Sequence, residues 1–119
     1  MLPLPREDFE KAIPGNLVAE FTEPNPLGGE DLFFESGGTL LSLALVPAQR
    51  LIWITGVFGG GLEWLWDLQK YGLSNGYDWL GFKVKKGLPW GKAIVRFSKA
   101  HLMAETPSGD EYCASMRAR

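Results

Sequence analysis

The sequence predicts a single domain with an α+β or α/β three-layer fold, built on a mixed, largely antiparallel sheet with a few short helices. Three observations support this prediction. Short runs rich in β-branched and aromatic residues recur along the chain, separated by glycine and proline turns. Two segments between these runs change to the period of an amphipathic helix. The 119 residues suffice for one hydrophobic core but not for two.

The composition excludes several classes of protein. Hydrophobic residues make up 45% of the chain, which is typical of a folded protein. The formal net charge is −2 and no long basic run occurs, so the sequence predicts no nucleic-acid partner. No apolar run approaches the ~20 residues of a membrane span, and "MLPLPREDFE" lacks the pattern of a signal peptide. We therefore expect a cytoplasmic location in the producing cell.

The single cysteine and the single histidine limit the chemistry. Cys113 alone excludes an internal disulfide, and His101 alone excludes a multi-histidine metal site. A lone thiol is typical of a reducing compartment. A Cys113–His101 pair or a Ser–His pair stays open as nucleophile and base, but nothing in the neighbouring sequence supports either. The pattern favours Cys113 as a small, half-buried strand residue.

The chain divides into an irregular N-terminal segment over 1–30 and a core over 31–119. The elements predicted in order are helical turns over 6–13, a strand over 16–21, a loop over 22–31, strands over 31–36, 39–46 and 50–58, a helix over 62–71, a strand over 78–86, a helix that begins at Pro89, and a hairpin around the turn 107–110.

Two of these segments carry a specific structural prediction. Residues 50–58 are apolar on both faces, which is typical of a central strand, and they lead through three glycines into a helix. In the helix from Pro89, one stripe has spacings of four, three and four and consists of Trp90, Ile94, Phe97 and His101. Of these, Trp90, Ile94 and Phe97 are predicted to face the sheet.

The element order after residue 31, together with "GVFGGG" (56–61), resembles the GNAT acetyltransferase fold from its second strand onward. In that family, a loop of pattern Gln/Arg-x-x-Gly-x-Gly/Ala at this place binds the pyrophosphate of acyl-CoA. Gly59 and Gly61 match the two small positions, whereas Gly56 stands at the Gln/Arg position. The resemblance implies a pyrophosphate loop of Val57, Phe58, Gly59, Gly60 and Gly61. The alternative is that these glycines only make a tight strand-to-helix turn.

The second matching segment is "KAIVRFSKAHL" (92–102), which resembles the family pattern Asn-x-x-Ala-x-x-x-Tyr-x-x-x-Gly-Phe. Ala93 matches the alanine, Phe97 stands at the tyrosine, and His101-Leu102 replace Gly-Phe. Phe97 lacks the hydroxyl that would protonate the leaving thiolate. Glu35 and Glu63 are weak candidates for a base that acts through water, and the pattern favours both as solvated side chains.

The sequence therefore favours a GNAT-fold protein that has lost acetyl transfer and acts as a structural or binding component without a cofactor. A weaker resemblance of residues 62–119 to the GNAT-like internal virion protein of short-tailed bacteriophages makes a virion-associated role, among phage virion proteins, its most specific form. One alternative is an active N-acetyltransferase that uses acetyl-CoA.

A second alternative is a tryptophan-rich protein-interaction module. The chain has five tryptophans, and aromatic residues are favoured anchors at interfaces. Exposed aromatic side chains would then bind protein partners. The competing interpretation is that the tryptophans stiffen a small core.

Overall fold

The structure is a computed structural model that describes residues 1–15, 30–86 and 89–118. Its helices and strands, in chain order, are β1 (Leu2–Leu4), α1 (Arg6–Ala12), β2 (Glu30–Ser36), β3 (Thr39–Val46), β4 (Leu51–Phe58), α2 (Trp64–Ser74), β5 (Trp79–Val84), α3 (Pro89–Ser98), β6 (His101–Thr106) and β7 (Gly109–Ser115). The core elements follow the predicted order, with bounds that differ by at most three residues.

The strands form one seven-stranded sheet of order β1-β2-β3-β4-β5-β7-β6. Every neighbouring pair is antiparallel except β4 and β5, which run parallel. The prediction of a mixed, largely antiparallel sheet with a central fourth strand is therefore confirmed. A parallel pair needs a crossover connection, and α2 provides it.

Helices cover both faces of the sheet, which gives three layers. On one face, α2 and α3 contribute buried residues such as Leu68 and Ile94 to the main core. On the other face, α1 places the fully buried Phe9 against Phe33, with ring centroids 4.6 Å apart. Successive side chains of a strand point to opposite faces, so β2 supplies Phe33 to one core and Phe34 to the other.

The hairpin between β2 and β3 turns at two glycines. Gly37 and Gly38 both have positive φ, of 56° and 87°, and Ser36 pairs with Thr39 across the turn. Positive φ at both central residues is the requirement of a tight hairpin turn whose twist matches that of the strands. The predicted hairpin is thus confirmed.

Helix α3 ends earlier than its apolar stripe suggested. Lys99 adopts the left-handed conformation with φ 55°, and the Ala100 amide donates to the Val95 carbonyl at 3.0 Å. These features form a closed helix C-terminus. His101 consequently begins β6 and is exposed, so its assignment to the stripe was wrong.

The other members of the stripe differ among themselves. Ile94 is 2% exposed and joins the main core, as predicted. Phe97 is half-buried at the edge of that core and stacks on Trp66, with ring centroids 5.4 Å apart. The side chain of Trp90 lies outside the described part of the chain.

The N-terminal segment is more regular than the sequence suggested. Helix α1 occupies the predicted helical turns, but β1 was not predicted. Pro3 and Pro5 obscure this strand, yet proline is compatible with an edge position because an edge strand leaves one row of amides unpaired. The predicted strand over 16–21 and most of the predicted loop fall outside the described residues.

The opposite edge strand, β6, is irregular. Leu102 pairs with Tyr112 and Ala104 with Glu111, so Met103 is an extra residue that bulges from the ladder. The hairpin of β6 and β7 otherwise agrees with the prediction. Among the described residues, no helix has both the length and the apolar character that crossing a membrane requires.

We expect Phe9→Ala to lower the free energy of unfolding by about 3–5 kcal/mol, because it empties the only fully buried aromatic position of α1. Urea denaturation followed by circular dichroism measures the change. Leu2→Ala is the control, because Leu2 is 66% exposed and its truncation should cost little. Equal losses from both substitutions would contradict this account of the packing of α1.

Candidate functional site

The parallel strands β4 and β5 separate toward their carboxyl ends. They pair over four residue positions, from Leu51↔Trp79 to Ile54↔Phe82. Beyond that point β4 continues along β3 to Phe58, and β5 continues along β7 to Val84. A gap therefore opens between adjacent strands at the end of the sheet where ligands commonly bind in α/β folds.

A β-bulge in β4 coincides with this separation. Ser42 pairs with Gly56 and Leu43 with Ile54, so Thr55 is an extra residue on β4. A bulge bends its strand and increases the local twist, which directs the end of β4 away from β5. The hydroxyls of Ser42 and Thr55 lie 2.5 Å apart and satisfy each other at the bulge.

A cleft of about 370 Å³ lies at the end of β4, beside the amino end of α2. Its lining consists of Val57, Gly59, Gly60, Gly61, Leu62, Trp64 and Ala93. Four of the five residues of the predicted pyrophosphate loop thus lie together here. The fifth, Phe58, packs instead with the Phe9 cluster on the other face of the sheet. Ala93 of α3, matched separately in the sequence, faces the same cleft.

Two side chains hold the glycine turn in place. The Thr39 hydroxyl donates to the Gly60 carbonyl at 3.0 Å, and the Trp64 indole N–H donates to the Gly61 carbonyl at 3.1 Å. Both Thr39 and Trp64 are buried. The turn is therefore fixed by the fold before any ligand arrives.

Steric requirements explain two of the three glycines. Gly59 has φ 139°, and a Cβ there would approach the Thr39 Cα to 2.9 Å. Gly61 also has positive φ, of 76°. Gly60 has neither constraint, since nothing lies within 4 Å of the Cβ position. The turn itself accounts for Gly59 and Gly61, and only Gly60 lacks a structural reason.

A carboxylate lies beside the glycine turn. Glu63 precedes the first residue of α2, and its Oε2 lies 2.6 Å from where a Cβ on Gly61 would be. The amino end of a helix carries partial positive charge and unpaired amides, so it attracts anions. The Glu63 carboxylate therefore lies beside the turn, near the amino end of α2, but makes no capping hydrogen bond to the helix amides.

The cleft is poor in groups for proton transfer. None of its lining residues has a titratable side chain. The phenols lie elsewhere: Tyr71 packs on Phe34, with ring centroids 5.1 Å apart, and Tyr112 stacks on Phe82. Phe97 packs on Trp66 and has no hydroxyl. Nothing at the described cleft can act as the general acid of acetyl transfer.

The two carboxylates considered as weak base candidates are not brought together. Side chains alternate between the two faces along β2, so Glu35 lies on the same face as Phe33. That is the sheet face that α1 covers. Glu63 lies beside the glycine turn, next to the helix on the opposite face. Glu35 and Glu63 therefore do not form an acid–base pair.

The structure does juxtapose the cysteine and the histidine. His101 of β6 lies directly opposite Cys113 of β7, and both line an apolar hollow of about 500 Å³ on the sheet face away from α2 and α3. No hydrogen bond joins their side chains in the described part of the chain. Burial raises the pKa of the Cys113 thiol, which opposes thiolate formation. Sequence spacing alone could not reveal this pair, because strand register creates it.

Two tryptophans expose nearly half of their side chains. Trp66 on α2 and Trp79 on β5 are each 48% exposed, whereas Trp64 is 2% exposed. Trp64 and Trp66 therefore point to different faces of α2. Among the described residues, no group of three or more histidine, cysteine, aspartate or glutamate side chains has the geometry of a metal site.

We expect the pH midpoint for alkylation of Cys113 by iodoacetamide to lie higher in the folded protein than in the urea-unfolded chain. The reason is that burial disfavours the charged thiolate, so a higher pH is required to form it. The midpoint, unlike the rate, separates the pKa from steric access.

His101→Ala serves as the control for this measurement. We expect the substitution to leave the midpoint unchanged, since the histidine does not hydrogen-bond to the thiol. A folded-state midpoint below that of the unfolded chain, restored upward by His101→Ala, would instead identify an activated Cys–His pair.

Comparison with known proteins adds no family assignment: no protein-family model and no curated protein matches this chain.

Proposed function

We propose that this chain is a GNAT-like protein that has lost acetyl transfer and acts as a structural or binding component. One observation carries the proposal: the described residues that line the cleft at the end of β4 are glycines and apolar residues, and none of them has an acidic or basic side chain. They offer backbone groups to a ligand and no group for proton transfer.

The GNAT-like part of the proposal is supported by three matches that meet in space. Gly59 and Gly61, matched to the family's loop, and Ala93, matched to its last helix, line one cleft although more than 30 residues separate them. A central strand that passes through glycines into a helix, beside a parallel partner, supplies the same setting that the resemblance implies.

The non-catalytic part rests on the missing chemistry. Transfer of an acetyl group to an amine requires a base for the acceptor and is assisted by an acid for the thiolate, each worth about 10²–10⁴ in rate. Phe97 cannot donate a proton, and Glu35 faces away from the cleft. Glu63 is near enough to act through water, but its charge opposes the phosphates of the cofactor.

The proposed setting is the virion of a short-tailed bacteriophage, following the resemblance of residues 62–119. The chain would be made in the host cytoplasm and would need no cofactor. Trp66 and Trp79 are the proposed contacts to other virion proteins, because large exposed aromatic side chains are favoured at interfaces. The same observation supports the more general alternative of a tryptophan-rich interaction module.

An active acetyl-CoA-dependent N-acetyltransferase remains the competing function, and the glycine turn is the observation that favours it. Its amides lie at the amino end of α2, where an acyl-CoA pyrophosphate can bind through backbone groups alone. Binding and transfer must therefore be measured separately.

We expect acetyl-CoA to bind weakly or not at all, and thiol release with a broad panel of amines to stay at the uncatalysed rate. Calorimetric titration measures the binding, and a thiol-reactive dye measures the transfer. Gly60→Asp and Gly60→Ala form a matched pair, since position 60 has space for either side chain and only the aspartate adds charge. Steady turnover that Gly60→Asp abolishes and Gly60→Ala preserves would establish the enzyme and refute the proposal.

We expect Glu63→Gln to strengthen whatever binding of acetyl-CoA occurs by about two- to fivefold. The substitution removes a negative charge from the amino end of α2, an effect worth about 0.3–1 kcal/mol. Glu105→Gln, which removes the same charge from β6, is the control and should have no effect. Weaker binding after Glu63→Gln would show that this carboxylate helps a ligand rather than excluding it.

The phage setting has its own test. Mass spectrometry of purified virions, from a phage whose genome encodes the chain, should detect the protein at a fixed copy number. Absence of the protein from the particle would remove the virion role and leave the general binding role.

A further inference from the structure

A second cleft, of about 410 Å³, lies between the end of β5, helix α3 and strand β7. Four cationic side chains line it: Lys85, Lys86, Lys92 and Arg96. Among the described residues that line it, Asp110 is the one carboxylate. The whole chain has a formal net charge of −2, so this concentration of positive charge is local and does not reflect a basic protein.

The fold brings these residues together through a close contact. Gly91 is buried in the first turn of α3, and a Cβ there would overlap Val84 of β5. Glycine therefore lets the start of the helix press against the end of the strand. Lys92 and Arg96, one helical turn apart, then face the space that the lysines after Val84 border.

The arrangement is electrostatically unfavourable by itself. Like charges at i and i+4 on a helix destabilise it, and Lys92 and Arg96 have that spacing. Neither of them nor Lys86 takes part in an ion pair with another described residue. An anion placed between them would offset the repulsion, and phosphate is the anion that arginine and lysine together bind best.

Asp110 provides a second, independent sign of a ligand. Its Oδ1 is buried and accepts no hydrogen bond from the described residues. Buried carboxylate oxygens normally have a partner, and this one has none among the described residues. Because this oxygen has almost no accessible surface, a ligand reaches it only when the Asp110 side chain rotates toward the cleft. A hydroxyl group meets that need without bringing a second positive charge to the cleft.

We propose that this basic cleft binds a phosphorylated small molecule that also carries a hydroxyl group, as nucleotides and sugar phosphates do. The phosphate lies between Lys92, Arg96 and the two lysines that follow β5, and the hydroxyl donates to Asp110. The volume is that of a small-ligand pocket, not that of a groove for a long polyanion.

The basic cleft is separate from the glycine cleft of the proposed function. Ala93 faces the glycine cleft, whereas Lys92 and Arg96 lie about 100° and about 60° around the same helix, both on one side of it. The two sites can therefore be disabled one at a time, and the inference does not depend on the GNAT-like proposal.

The test is titration with ADP and with inorganic pyrophosphate, followed by calorimetry and by amide chemical shifts of the ¹⁵N-labelled protein. We expect saturable binding of ADP, with shifts concentrated at residues 84–86, 91–96 and 110. The double variant K92E/R96E should weaken binding by about tenfold or more, because it replaces two charge-assisted hydrogen bonds with repulsion.

The matched control is K11E/K70E, which makes the same change of charge at two exposed lysines on other helices. It should leave the affinity for ADP nearly unchanged, and thermal melting should show that both double variants stay folded. Equal losses from the two double variants, or no saturable binding of either probe at millimolar concentration, would overturn the proposal.

Two further measurements test the class of ligand. Asp110→Asn should lower the affinity for ADP relative to pyrophosphate, since only ADP offers hydroxyls; an unchanged ratio would remove the hydroxyl contact from the proposal.

A single-stranded oligonucleotide that bound much more tightly than ADP, with shifts beyond the cleft, would identify a nucleic-acid surface instead. Shifts confined to residues 57–64 would assign the ligand to the glycine cleft and refute this site.

Discussion

The parallel pairing of β4 and β5 stops after four residue positions, and the rest of the molecule is arranged around that stop. Buried backbone groups must be hydrogen-bonded, so each strand continues along its other neighbour: β4 along β3, and β5 along β7. The separation therefore costs the sheet few hydrogen bonds. Helix α2 begins in the gap, α3 borders it, and both helices pack on the same face of the sheet.

The glycine turn joins a strand to a helix, and the same backbone conformation also exposes amides that a ligand could use. Gly59 must be glycine because Thr39 is so close, and Gly61 because of its backbone conformation. A strand-to-helix turn of this kind presents amides at a helix end whether or not a ligand uses them. Turn formation thus suffices to explain most of the motif, and the missing acid and base then decide between an enzyme and a binding protein.

Much of the fold could be predicted from the sequence, because local signals and packing agree there. The doubly apolar run at 50–58 is the central strand, and Gly37-Gly38 makes the hairpin turn. Prediction failed where one residue opposes the local pattern. Lys99 closes α3 in a conformation that side chains rarely adopt, so the apolar spacing that continues to His101 had no structural meaning. The prolines of β1 concealed a strand that only its pairing with β2 defines.

The candidate sites, like the fold, could be predicted only in part. The glycine cleft was predictable, since consecutive residues form most of it, although Phe58 points to the other face. The opposition of His101 and Cys113 depends on strand register. The basic cleft depends on Gly91, whose missing side chain lets two distant parts of the chain touch. The spacing of residues in the sequence predicts neither the Cys–His opposition nor the contact at Gly91.

The bulge at Met103 affects how readily copies of the chain can join through their sheet edges. Strand β6 is an outer strand of the described sheet, where one row of its amides has no partner strand. It contains neither proline nor lysine to deter another strand from joining it. The extra residue breaks the regular spacing of that row, so a second chain cannot align along the whole strand. When copies of the chain are crowded together, growth of an intermolecular sheet, the first step toward fibres, is thereby disfavoured.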